Sequence, residues 1–210
     1  MKDDLKKIQT RTTQYWFSDG LYELAFGALC LVLALYLLAQ ALLPKGTLLY
    51  SILVISFVLV MLGSGFLLTR LMNVFKARLT YPRTGYIAYP SKPRRTRWIS
   101  VLLGMCIGAL MGFVVVRNLI SISLLPLVTG LVFAFVMLLV GLRTGLLRFP
   151  LIGFIALVIG GALSLAGIGD SLGLSIFYGS LGLTFALSGA CTLRSYLHST
   201  ATPQESSNGE

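Results

Sequence analysis

Residues 20–43 read GLYELAFGALCLVLALYLLAQALL: 24 positions with one charge, Glu23. A helix rising 1.5 Å per residue needs about 20 apolar residues to cross the hydrocarbon core of a bilayer. A buried helix of a soluble protein would show a polar face, and this stretch shows none. Five more runs of the same kind follow, at 48–69, 98–116, 120–142, 149–169 and 171–193, all without a charged residue. Membrane strands would be about half as long and would alternate strictly. In lipid, backbone groups must be satisfied within the segment, so continuous runs of this length predict helices. The expected fold is all-α: a polytopic integral membrane protein with a bundle of six transmembrane helices.

The composition agrees. Of 210 residues, 56% are hydrophobic and 11% charged. A soluble domain would carry about 25% charged residues, and a disordered chain would lack the hydrophobicity. The connections are short. Pro44-Lys45-Gly46 ends the first run, Arg117-Asn118 separates the third and fourth, residues 143–148 separate the fourth and fifth, and residues 167–170 separate the fifth and sixth. Pro150 suits a helix start, and Asp170 suits an N-cap. Short links make antiparallel neighbours. Three even-numbered spans end alike, at Leu68-Thr69-Arg70, Gly141-Leu142-Arg143 and Thr192-Leu193-Arg194. That raises a second reading of the same fold as three tandem hairpins, by analogy with transporter repeats.

The net charge is +10, from 17 Lys and Arg against 7 Asp and Glu. With six spans, fifteen of those 17 fall on one side and only Lys45 and Arg117 on the other. Basic residues favour the cytoplasmic side. Both termini, the 70–97 loop and the 143–148 loop are therefore expected in the cytoplasm, and the protein in a cell membrane, of bacterial plasma or inner-membrane type. Residues 1–19 form an N-terminal segment in which Leu5, Ile8, Thr12 and Tyr15 share a helical face, as in an amphipathic helix lying on the membrane. Tyr15-Trp16-Phe17 fits an interfacial aromatic belt. Residues 20–199 form the membrane domain, and 200–210 a polar, disordered tail. Ala39-Gln40-Ala41 resembles a signal-cleavage site, but the apolar run before it exceeds the roughly 7–15 residues of a signal core. An uncleaved span is expected.

Helices in lipid associate through small residues. Ser100, Gly104, Gly108 and Gly112 make such a stripe in the third run, a candidate for internal packing or for homo-oligomerisation. Gly20, Glu23, Gly27, Cys30 and Ala34 share one face of the first run. Matching stripes occur in the fifth (Gly153, Ala156, Gly160, Ser164) and sixth (Ser175, Gly179, Gly182, Ala186, Gly189). Cys30, Cys106 and Cys191 all lie in spans without metal-ligand spacing, so neither disulfides nor a metal site are expected.

Glu23 is the sole acid within a span, and an intramembrane carboxylate demands a partner. Asp19 lies four residues earlier. The two are expected to pair with Arg70, Arg143 or Arg194, which end neighbouring spans at similar depth. In the 70–97 loop, Arg70 to Leu79 can prolong the second span as a helix. Pro82 and Gly85 permit a small hairpin around Tyr81, Arg83, Tyr86 and Tyr89. Lys92, Arg94, Arg95 and Arg97 then form a juxtamembrane basic cluster suited to anionic lipid, and the tyrosines and Arg83 are candidate anchors for a protein partner. Nucleic acid is not expected, since 28 residues hardly make a folded basic module.

No catalytic constellation is legible. The one histidine, His198, lies near the C-terminus, and no acid cluster could hold metal-bound phosphates. The leading expectation is a non-enzymatic accessory or packing module without cofactor, whose basic cytoplasmic face docks anionic lipid or a partner. The alternative is a small transporter or channel with Glu23 as an ion- or proton-sensitive site. That would need helices broken at midplane, for which Pro126 and Gly160-Gly161 are the candidates.

Overall fold

The computed structural model describes residues 19–77, 117 and 121–199. These form five long helices: α1 (Leu21–Leu42), α2 (Leu48–Phe75), α3 (Leu125–Thr144), α4 (Arg148–Leu165) and α5 (Ser171–Ser199). A single 3-10 turn, Ile122–Leu124, leads into α3. There is no strand among the described residues, and all five helices are long and apolar enough to cross a membrane. The expected span 98–116, with Gly104, Gly108, Gly112 and Cys106, lies outside the described residues. So do the 79–90 hairpin, the Lys92–Arg97 cluster, the N-terminal segment to residue 18 and the tail from 200.

The helix ends follow local chemistry. Thr47 Oγ1 accepts the Tyr50 N–H at 3.2 Å and opens α2. Asp170 Oδ1 accepts the Leu172 and Gly173 N–H groups at 3.1 and 3.2 Å, satisfying two donors that the first turn of α5 leaves open. Pro126 lies in the first turn of α3, where a missing N–H costs nothing. α3 stops at Gly145, whose φ of 70° closes the helix. α2 continues to Phe75, well past the apolar run that ends at Thr69. α4 is shorter than its run and ends at Leu165.

Two seams hold the bundle. α1 lies along α5, and α3 lies along α4, in each case close enough that backbone meets backbone. A Cβ added at Gly27 would come within 2.9 Å of the Ala186 amide nitrogen and the Gly182 carbonyl oxygen. One added at Gly189 would come within 2.9 Å of the Gly20 carbonyl oxygen. In the second seam, Gly130 backs onto the Ala156 carbonyl, and Gly160 onto that of Pro126. The small-residue faces anticipated for the first, fifth and sixth runs thus face other helices: Gly20, Glu23, Gly27, Cys30 and Ala34 are all buried. Lipid supplies little hydrophobic drive between helices, so this close contact is the main source of association. Hydrogen bonds add to it: Ser175 Oγ donates to the Ala34 carbonyl at 2.8 Å, and Ser164 Oγ accepts the Leu127 N–H at 3.1 Å.

Between the seams the filling is bulky. Phe177, Leu181 and Phe185 of α5 pack with Phe149, Ile152 and Ala156 of α4, Met137 of α3 and Cys30 of α1. Phe26 meets Phe185 with ring centroids 5.0 Å apart. α2 has no buried residue within its length. It touches α1 through Tyr36, whose ring lies 5.2 Å from Phe57 and whose hydroxyl donates to the Leu53 carbonyl. Among the described residues the most extensive pairings are α1 with α5 and α3 with α4, with α1 also meeting α2 and α4 meeting α5.

Candidate functional site: a buried charge network

Asp19 and Glu23 stand one turn apart at the start of α1, and each is only 2% exposed. Asp19 Oδ1 accepts the Leu21 N–H at 3.2 Å, which ties the acid to the helix start. Gly20 between them has φ 69°, and the Gly189 carbonyl lies against it. A side chain there would be both strained and obstructed.

The two acids recruit two bases from different helices. Lys76, just past the end of α2, places Nζ 3.5 Å from Asp19 Oδ2 and 4.3 Å from the centre of the Tyr22 ring. Arg148, the first residue of α4, places Nε 2.9 Å from Glu23 Oε1. Its Nη1 donates to Thr192 Oγ1 at 2.7 Å. Thr192 Oγ1 donates to the Ser188 carbonyl at 2.8 Å, and Ser188 Oγ donates to Glu23 Oε2 at 2.6 Å. Glu23, Arg148, Thr192 and Ser188 therefore close a ring across α1, α4 and α5. Arginine suits position 148 because its extended guanidinium sets its charge against Glu23 while Nη1 bonds Thr192.

The Lys76 side chain is 9% exposed. Burial pushes its ammonium below the usual lysine range, while the Asp19 carboxylate opposes that shift. The 2.9 Å contact between Glu23 and Arg148 is an ion pair by distance but is not aligned as a hydrogen bond. Its attraction therefore rests on charge, and Ser188 and Thr192 supply the directional bonds.

The partners differ from those anticipated. Arg70, Arg143 and Arg194 are exposed, and neither buried acid is ion-paired to any of them. Arg70 lies over the Phe66 ring at 4.8 Å. The reason is helix length and azimuth. α2 runs five residues beyond Arg70 and Lys76 follows it, so Lys76, and not Arg70, arrives at the level of Asp19. At 3.6 residues per turn, six positions also rotate the side chain to another face. The signal for Arg148 was present in its position at the head of a span on the basic side. The signal for Lys76 was the possible helical continuation of the second span. Tyr81, Arg83, Tyr86, Tyr89, Lys92, Arg94, Arg95 and Arg97 lie outside the described residues.

Among the described residues no three His, Cys, Asp or Glu side chains gather as a metal site would require. Cys30 is buried and Cys191 exposed, and His198 is exposed near the end of α5. Compared with known protein families, curated proteins and solved structures, the chain matches none.

Proposed function

We propose that this is a non-enzymatic, six-span membrane module whose basic cytoplasmic face docks anionic lipid or a protein partner. The observation that carries this reading is the internal neutralisation of Glu23. Its two carboxylate oxygens are engaged by Arg148 and Ser188 within the bundle. A carboxylate held in this way braces helices and is not poised to take up a travelling ion. Helix continuity points the same way. Gly160-Gly161 lie inside an unbroken α4, and Pro126 in the first turn of α3, so neither breaks a helix at midplane as the transporter reading requires.

Chain parity supports the sixth span. The start of α1, the end of α2, the start of α4 and the far end of α5 all meet in one charge network. The start of α3 lies at the opposite end, where the Ile122 carbonyl abuts Gly169. A further crossing between residues 77 and 121 would reconcile these two ends, and 98–116 is an apolar run long enough to supply it. With that crossing, the 15-to-2 distribution of basic residues favours a cytoplasmic network end.

The test is recovery of partners and lipid from detergent extracts. Wild-type protein is compared with a variant whose residues 78–97 are replaced by a neutral linker, which leaves Lys76 and its pair intact. Loss of anionic-lipid enrichment or of a reproducible partner is expected. Identical partners and identical lipid profiles would sink the reading.

A further inference from the structure

The two halves of the charge network join helices of different standing. Glu23, Arg148, Ser188 and Thr192 link α1, α4 and α5, and α1 and α5 already meet backbone to backbone. Lys76 and Asp19 link the end of α2 to α1. α2 has no comparable seam among the described residues. It has no buried residue within its length, and a Cβ added at Gly63 or Gly65 would meet nothing within 4 Å.

α2 is instead fastened to α1 near its two ends. At the first, the Tyr36 hydroxyl donates to the Leu53 carbonyl and the Tyr36 ring lies against Phe57. The short link into that end turns at Gly46, with φ 98°. At the second, Lys76 Nζ lies 3.5 Å from Asp19 Oδ2 and 4.3 Å from the centre of the Tyr22 ring. Next to this second fastening the two helices do not close on each other. An apolar crevice of about 260 Å³ separates Leu24 and Ala28 from Leu68, Leu71 and Met72.

Lipid tails are as apolar as these walls, so parting them further costs little hydrophobic energy. The position of the α2 end therefore depends on the Lys76 contacts. Leu53 and Lys76 stand about 35 Å apart along the helix, so a swing of about 10° moves the end by about 6 Å. We propose that α2 is a swinging helix, pivoted at the Tyr36–Leu53 tether and held against the bundle by the Lys76–Asp19 latch. Breaking the latch frees the end of α2 and widens the crevice, while the α1/α5 and α3/α4 seams stay shut. Hinged motion of one element against packed neighbours is an established form of switching. The proposal goes beyond the docking reading and does not rest on it, because the latch variants keep residues 78–97 and the test reads helix position alone.

The experiment is pulsed electron–electron double resonance on full-length protein in nanodiscs, in a Cys30→Ala, Cys106→Ala, Cys191→Ala background. Spin labels at Thr69→Cys and Arg194→Cys, both exposed, report the latch end of α2 against α5. Labels at Leu35→Cys and Ser51→Cys, also exposed, report the tether end. Lys76→Met removes the cation. Asp19→Asn removes the anion and keeps the Oδ1 that accepts the Leu21 N–H. Each is expected to lengthen the Thr69–Arg194 distance by about 5 Å or more, in all or part of the population, and to leave Leu35–Ser51 unchanged. Glu23→Gln, which weakens the other ion pair, should leave both distances as in wild type. Unchanged Thr69–Arg194 distances in a folded latch variant would overturn the proposal. So would an equal shift at both ends, an equal shift with Glu23→Gln, or loss of folding in both latch variants, which would make the pair a support of the whole bundle.

Discussion

A carboxylate one turn inside a membrane helix persists only where something neutralises it, and Glu23 is met on both oxygens. Removing one member of such a pair leaves the other buried and uncompensated, at a cost of about 3 kcal/mol or more for a fully buried pair. The Arg148 side chain keeps 22% exposure, so the cost of Glu23→Leu should fall at or below about 3 kcal/mol. Replacing both partners, Glu23→Leu with Arg148→Met, should restore much of the loss, because two apolar side chains need no counter-charge. Thermal unfolding in detergent of both singles and the double checks this; a double mutant as weak as the sum of its singles would contradict it. Lys76 gives a pH prediction. Its folded pKa is lowered by burial, so between that value and the ordinary value of about 10.4 the unfolded chain holds the proton more tightly. The stability contribution of Lys76 should therefore rise with pH through that window. A stability difference between wild type and Lys76→Met that stays flat with pH would show that the ammonium is not penalised. The need of Glu23 for a partner was legible in sequence. The identity of that partner was not, because it depends on where two helices end and how they are rotated.

Among helices, the contrast between seam and periphery is sharp. A methyl group at Gly27 would press on α5 backbone atoms, which cannot move aside as a side chain can. At Gly63 on α2 the same methyl group would meet nothing within 4 Å. Gly27→Ala is expected to cost about 1–3 kcal/mol through overpacking. Gly63→Ala should be neutral or stabilising by up to about 1 kcal/mol, since alanine is the better helix former. Unfolding of the two variants side by side decides the matter, and equal effects would refute the α1/α5 seam. Asp170→Ala should cost about 1 kcal/mol by removing the cap of α5, as read from the same melts. The stripes themselves were legible as small residues at three- and four-residue spacing. Which stripe faces which was not: Gly27 opposing Gly182 and Gly130 opposing Ala156 are relations across more than a hundred and across 26 positions of chain.

For the whole molecule, the positions of the loops are testable. In a background without native cysteines, Lys45→Cys should react with a membrane-impermeant thiol reagent from the outside of intact cells, and Arg143→Cys only after lysis. Labelling of both from the same side would refute the six-span topology. Such a chain has first and last described helices in contact, because the α1/α5 seam brings them together. That closure also carries Thr192 and Ser188 to Glu23 and so assembles the network from distant parts of the chain.

Length and apolarity of six runs determined the class by themselves, since a bilayer leaves a long apolar segment no alternative to helix. The distribution of basic residues determined the expected orientation in the same way, from a one-dimensional pattern. Only the tertiary structure decided that α1 closes on α5, that Lys76 and Arg148 hold the buried acids, and that a crevice opens between α1 and α2. Those outcomes depend on helix azimuth and on the exact length of each helix past its apolar run. Lipid imposes neither, because it treats every apolar face of a helix alike.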